Sequence, residues 1–284
     1  MHRRFTSFVA RVLVACVPVL GLVVAAGAGT ASAAHSPVNA RAAALAALKH
    51  LKVGDHATNH PLPGHSARVK GAAVSSNWAG FADTKTSSKY TKITGSWTQP
   101  KGTCGSATSL AVFWTGIDGF NSGTVEQNGT LIQCSGGTAT YFSWWEMFPR
   151  NNIQVVSTAV RPGDHITSSV TRSGTKYTLK LTDSTHPSAS FTTTQTCAAA
   201  TCVDSSAEWI AEAPSNSSGI LPLTNFGSWT LTGGTVKAGT KSGTIKTFPH
   251  QQITMEDAAG HVKAQTGALN TAGNQFKVTW KRST

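Results

Sequence analysis

From Ser75 onward the chain is almost entirely short runs of β-forming residues separated by turn signals. The runs fall at 76–83, 93–99, 109–117, 124–134, 139–148, 153–160, 165–171, 177–182, 191–196, 205–213, 227–232, 246–255 and 276–281. Pro162-Gly163-Asp164, Ser173-Gly174, Asn128-Gly129 and Gly233-Gly234 are the clearest turn signals. About thirteen short strands at such even spacing specify one all-β domain of roughly 200 residues, an antiparallel β-sandwich. No internal repeat of propeller or solenoid period is visible.

The residues before this domain differ in style. Arg3, Arg4 and Arg11 precede an apolar stretch over 12–26, and Ala31-Ser32-Ala33 is a small-residue cleavage site. This is the pattern of a secretory signal peptide, assigned to 1–33. The stretch is short for a membrane span, and no later segment reaches about 18 unbroken apolar residues. The expectation is a secreted, extracellular protein with no membrane attachment after signal removal. Residues 34–73 read as a short, partly helical prosegment. Asn39 can cap a helix whose stripe is Leu45, Leu48 and Leu51, with Lys49, His50 and Lys52 near its C-terminus before Gly54. The sandwich domain is assigned to 74–284.

The formal charge of +12 is carried largely by these leading segments. From Ser76 on there are sixteen Lys/Arg against eleven Asp/Glu, with no dense basic cluster, so nucleic acid is not an expected partner. Cys16 lies in the signal peptide, leaving Cys104, Cys134, Cys197 and Cys202 for an oxidising compartment. Four cysteines allow three pairings; Cys104–Cys134 with Cys197–Cys202 is favoured, because the second pair staples one short loop. No C-x-x-C with a nearby His completes a zinc tetrahedron, and no metal or cofactor is expected.

The familiar hydrolase signatures are missing: there is no G-x-S-x-G, no HExxH and no Asp-Thr-Gly or Asp-Ser-Gly. His165, His186, His250 and His261 have no recognisable Ser or Cys partner. Attention therefore falls on the carboxylates. Glu208 sits in Ser206-Ala207-Glu208-Trp209-Ile210-Ala211-Glu212, where strand alternation puts Glu208, Ile210 and Glu212 on one face. A carboxylate spaced like a core position is costly unless paired, neutralised or used. Glu212 cannot be its partner, since four residues along a strand span about 13 Å. Asp118 lies where a strand meets a turn, and Glu146 lies in the aromatic run Trp144-Trp145-Glu146-Met147-Phe148. Trp114 and Trp144 are candidates for lining an extended-chain cleft.

Five blocks recur in one order: Ser76-Asn77-Trp78-Ala79-Gly80, Trp114-Thr115-Gly116-Ile117-Asp118-Gly119, Glu126-Gln127-Asn128-Gly129, Trp144-Trp145-Glu146-Met147-Phe148-Pro149 and Ser206 to Glu212. In this the chain resembles the glutamic peptidases, or eqolisins, over roughly 76–226. The resemblance implies a sandwich of two seven-stranded antiparallel sheets, made as a preproenzyme, that cleaves proteins in acid with a Gln/Glu dyad. Gln127 falls on the catalytic Gln and Glu208 on the catalytic Glu; Asp118 and Glu146 fall on acidic cleft positions. Gln133 lacks the following x-Gly. Thr115 and Asn128 depart from the family's usual Val and Thr. Asn128-Gly129-Thr130 is also a glycosylation sequon, expected to stay unmodified.

The function expected is that of an endopeptidase acting on protein or peptide substrates, a monomer without cofactor, with its own prosegment as inhibitor. Prosegment cations (Arg41, Lys49, Lys52, Arg68, Lys70) facing cleft carboxylates would form a clamp that acid loosens. Two other classes fit the exported, aromatic-rich sandwich: a glycoside hydrolase using Glu126, Glu146 or Glu208, and a lectin-like module without catalysis.

Overall fold

The structure is a computed structural model and describes residues 45, 46, 48, 50–53, 72–84, 86–197 and 202–284. Residues 1–33, expected to form a signal peptide, and Arg41, Lys49, Arg68 and Lys70 of the expected prosegment lie outside the described residues. Among the described residues no helix is long and apolar enough to cross a membrane. The strands, in chain order, are β1 (Ala72–Ser75), β2 (Trp78–Asp83), β3 (Tyr90–Thr98), β4 (Ser109–Ile117), β5 (Val125–Ser135), β6 (Thr138–Phe148), β7 (Gln154–Ala159), β8 (His165–Ser173) and β9 (Lys176–Asp183). They continue with β10 (Phe191–Thr196), β11 (Ala207–Glu212), β12 (Ser215–Asn216), β13 (Gly219–Ile220), β14 (Ser228–Ala238), β15 (Lys241–Thr244), β16 (His250–Glu256), β17 (Val262–Thr266) and β18 (Phe276–Trp280).

The all-β expectation holds, but the layers are unequal and joined. Hydrogen bonding runs along one path, β10-β9-β8-β3-β14-β18-β17-β16-β2-β11-β4-β5-β6-β7. The long strand β14 is the corner. Its first residues, Ser228 to Leu231, pair with β18, and Thr232 to Ala238 pair with β3. Gly233-Gly234, read from sequence as a turn, is instead the irregularity that lets β14 bend: the register shifts between Thr232 and Thr235, and Gly233 has φ +62°. A bulge with a left-handed glycine kinks a strand without ending it. Asn128-Gly129 likewise lies inside β5 and ends nothing.

The small layer (β10, β9, β8, β3 and the end of β14) packs on the middle of the large one. Between them lies the main core, with Trp97, Phe113, Trp209, Phe226, Trp229 and Phe276. Polar stitches cross this interface. Thr115 Oγ1 lies 2.7 Å from Ser168 Oγ, Asn128 Nδ2 donates to Ser169 O at 2.9 Å, and Ser168 Oγ donates to the Asn128 backbone carbonyl at 3.1 Å. Thr115 and Asn128, two of the positions that depart from the family pattern, are thus partners of the same serine. Asn128 is fully buried, which leaves no room for a sugar.

Strand β11 lies between β2 and β4, in the centre of the large layer, and all six of its residues are buried. Its even residues face away from the small layer, yet they are covered. A second apolar cluster on this outer face joins Trp78, Trp114, Trp144 and Ile210 to Leu48, Leu51 and Val53. The short helical turn at 45–48 ends where Leu51 N donates to Leu48 O, and Lys52 forms a two-way antiparallel bridge with Ser215.

Thr115→Val should cost about 1–2 kcal/mol in urea unfolding, because it strips a buried hydroxyl partner from Ser168. The double variant Thr115→Val/Ser168→Ala should cost less than the sum of the singles; strict additivity would show that the stitch is not shared.

Candidate active site

Register builds the site. In an antiparallel pair, directly opposed residues project from the same face. Across the large layer one such row reads Ala82 (β2), Glu208 (β11), Gly116 (β4), Gln127 (β5), Glu146 (β6). Glu208 and Gln127 are therefore separated by one strand, about 10 Å between Cα atoms. The position between them is glycine, so no side chain fills the gap. A Cβ on Gly116 would come within 2.9 Å of Trp114 Cζ3 and 3.2 Å of Gln127 Cβ.

The next row along the strands is Gly80, Ile210, Trp114, Gly129, Trp144. Gly129 stands between the two indole-bearing positions of this row, and a Cβ there would come within 1.9 Å of Phe113 O. Trp78 stands edge-on to Trp114, with ring centroids 5.0 Å apart. Glu212 Oε2 accepts from the Trp114 indole at 2.8 Å. The sequence argument removed Glu212 as partner to Glu208; its observed contact holds a cleft wall in place.

Gln127 is held at its nitrogen. Nε2 donates to Glu146 Oε2 at 3.1 Å and to the Val53 carbonyl at 2.8 Å. Its oxygen, Oε1, is buried without a partner among the described residues, as is Glu208 Oε2. Glu208 Oε1 accepts from Phe120 N at 3.3 Å. Burial pushes the Glu208 carboxyl well above the usual carboxylate range; the Ser206 hydroxyl and Phe120 amide pull the other way, and Asp118 and Glu126 push further up.

Of the residues singled out from sequence, Gln127, Glu208, Glu146, Trp114 and Trp144 meet on this one face. Asp118 is turned elsewhere. It holds φ +68°, and its carboxylate accepts from Asp204 N and Ser205 N, both at 2.7 Å, tying the β4–β5 turn to the chain entering β11. Gln133 shares a face with Gln127 but sits six residues away along β5, opposite Leu110 and Thr140. Sequence reasoning passed over Gly116 and Val53, whose roles depend on strand pairing and on chain return. Cys104–Cys134 and Cys197–Cys202 are both formed.

Among the described residues, three groupings bring possible metal-ligand atoms within 4.8 Å of one another: Glu126 with Cys197 and Cys202, Asp164 with Asp183 and His186, and Asp118 with Glu126 and Asp204. In the first the sulfurs are in a disulfide, and in the last Asp204 is ion-paired with Lys89 and Arg172. None contains Glu208 or Gln127.

Residues 76–280 match the profile of the Peptidase A4 family. The chain belongs to this family. It is a glutamic endopeptidase, an eqolisin. Aspergillopepsin-2 of Aspergillus niger is similar at 27% identity over 231 residues, covering 72% of this chain and 78% of that protein. Among solved structures, scytalido-glutamic peptidase with a transition state analog inhibitor superposes with a TM-score of 0.62 at 21% identity, covering 72% of this chain and 98% of that one. Aspergilloglutamic peptidase from Aspergillus niger gives 0.53 at 22%, covering 61% and 99%. The glycoside hydrolase and lectin-like alternatives are set aside by the family match.

In this glutamic endopeptidase most carboxyls are interior: Asp83, Asp118, Glu126, Glu146, Asp164, Asp183, Asp204, Glu208 and Glu212 are all buried. Burial raises Asp83 from 3.8 to about 9, and raises Asp118, Glu126 and Asp183 as well. An unfolded chain releases these protons near the ordinary value, whereas the fold retains them. Their stabilisation is therefore complete below about pH 4 and is lost as pH rises, for Asp83 until about 9. Melting temperature should fall between about pH 4.5 and 7, each retained proton costing about 1.4 kcal/mol per pH unit. Asp83→Asn should flatten that slope. A melting temperature that rises over the same interval would contradict the assignment.

Proposed function

We propose that this protein is a secreted acid endopeptidase in which Glu208 and Gln127 carry peptide hydrolysis on the bare strand position at Gly116. The observation that carries the reading is that row: an acid and an amide face each other across one glycine, each with a buried acceptor oxygen turned to no described residue. A water held there can donate one hydrogen to Glu208 Oε2 and one to Gln127 Oε1. Glu208, ionised, takes a proton as the water oxygen attacks the scissile carbonyl carbon. An N–H of Gln127 stabilises the oxyanion, and Glu146 fixes the orientation of that amide. Glu208 then passes the proton to the departing amine. No covalent intermediate is needed. Trp78, Trp114, Trp144 and Ile210 supply apolar walls for an extended protein or peptide substrate. A tripeptide, Ala-Ile-His, is bound in the eqolisin SCP-B, which is similar to this chain with a TM-score of 0.60 at 21% identity.

Glu208→Gln and Gln127→Ala, made in a chain beginning at Ala72, should each lower kcat for a denatured protein substrate in acid by about 10²–10⁴-fold with the fold intact. Glu146→Gln should lower it less, since it acts through Gln127. Retained activity in Glu208→Gln would sink the reading.

The segment around 45–53 supports a role as built-in inhibitor. Its Leu48, Leu51 and Val53 fill the apolar cleft, and the Val53 carbonyl takes the Gln127 hydrogen that a scissile carbonyl would need. The described contacts of this segment with the cleft include apolar and main-chain ones, which would act beside the electrostatic clamp suggested by the sequence. Burial raises the Glu208 carboxyl, and a covered cleft would favour its protonated form, the wrong state for a base. A synthetic peptide of residues 45–53 should inhibit the Ala72-start enzyme competitively, and Leu51→Asp in the peptide should weaken inhibition more than Lys52→Ala does. Absence of inhibition by the peptide would refute the role.

A further inference from the structure

The outer face of the small layer is on the opposite side of the sandwich from Glu208 and Gln127. On β3, β8, β9, β10 and the end of β14, the residues facing outward are only Ser, Thr, Lys and His165. One row reads Lys237, Lys92, Thr171, Thr178, Thr194, and the next Thr235, Thr94, Ser169, Lys180, Thr192. Lys176 completes the cationic set on β9. The hydroxyls contact one another across strands, with Thr94 to Thr235 at 2.5 Å, Ser96 to Thr167 at 2.9 Å and Thr178 to Thr194 at 3.2 Å.

The charges on this face are unbalanced. No carboxylate stands among them, and Lys92, Lys176, Lys180 and Lys237 have no ion-pair partner among the described residues. Lys92 and Lys237 are directly opposed across an antiparallel pair, an arrangement that destabilises a sheet unless an anion lies between. At one end the face opens into a groove of about 510 Å³ lined by Ser96, Thr98, His165, Thr167, Thr230 and Thr232.

We propose that this face is a docking surface for an acidic polysaccharide, a linear chain bearing uronate carboxylates. Serine and threonine hydroxyls both donate and accept, matching the hydroxyls of a sugar chain, while the lysine ammoniums meet its carboxylates as point charges. The surface is long and open rather than a closed pocket, which suits a polymer. Trp97, in the groove lining, is buried, His165 is the one ring among the outward residues, and no arginine fork for phosphate stands among them, which disfavours nucleic acid. The lysines are scattered from 92 to 237 in sequence, so only strand pairing assembles them. The inference is independent of the catalytic proposal, because the two faces are separated by the core.

The test is retention of the full chain on immobilised polygalacturonate, with neutral dextran and single-stranded DNA columns beside it and sodium chloride as the eluent. The protein should bind polygalacturonate, release with salt and pass through dextran. Lys92→Ala/Lys180→Ala/Lys237→Ala should weaken binding about tenfold or more, each exposed pair contributing modestly. Lys246→Ala/Lys281→Ala/Arg282→Ala removes the same charge elsewhere and should leave binding near wild type. Peptide cleavage by the Ala72-start form should be unaffected by either set, which also verifies folding. Equal loss in the two triple variants would reduce the effect to net charge and overturn the proposal. So would passage of the wild type through polygalacturonate, or stronger retention on DNA.

Discussion

The site depends on the register that aligns β11, β4 and β5. With Glu208 opposite Gly116 and Gly116 opposite Gln127, an acid and an amide share a face with a bare position between them. Slipping any of the three strands by one residue would send its functional side chain into the interlayer core, because strand side chains alternate. The register is therefore held from the other side of the sheet. Thr115 and Asn128, each adjacent in sequence to a site residue, point into the core and bond Ser168 and Ser169 of the small layer. The polar stitch beneath the sheet and the proposed site above it follow from the same pairing.

A second constraint is the location of the carboxyls. Outside the interior, the described residues retain only Glu256 and Asp257 as acidic side chains, both part-buried. Raised carboxyl pKa values inside and a surface dominated by Lys, Ser and Thr have a common result. Acid neutralises few carboxylates at the surface, and burial favours the protonated form of Asp83, Asp118, Glu126, Asp183 and Glu208 inside. That arrangement fits the proposed activity in acid, and it leaves a cationic exterior that the small layer concentrates on one open face.

The leading segment changes how the cleft is to be understood. Trp78, Trp114 and Trp144 are fully buried, as core residues would be, yet part of what buries them is Leu48, Leu51 and Val53 from a separate stretch of chain. Removing that stretch would turn a core into a groove. The same step would rehydrate Glu208 and lower its raised pKa toward the range where it can act as a base. In the proposed mechanism, access and activation would then be coupled through one apolar contact.

Much was legible in the sequence because it is local. Turn signals and strand runs determined the all-β class, cysteine spacing favoured the two disulfides that form, and five ordered blocks singled out Gln127 and Glu208, the pair on which the proposed mechanism rests. What was missed depends on pairing between distant segments. Gly233-Gly234 and Asn128-Gly129 carry turn chemistry, but neighbouring strands decide whether such a pair ends a strand, bends it or continues it. Asp118 matched a cleft position by motif, while its left-handed backbone sends its carboxylate to the 204–205 amides. The importance of Gly116 could not be read locally, since a glycine matters there only because β11 and β5 lie on either side of it. The sequence by itself determined the chemical groups and the elements that bear them. Tertiary structure alone decided which groups meet, which are desolvated and which surface stays open, because those properties arise from contacts between strands far apart in the chain.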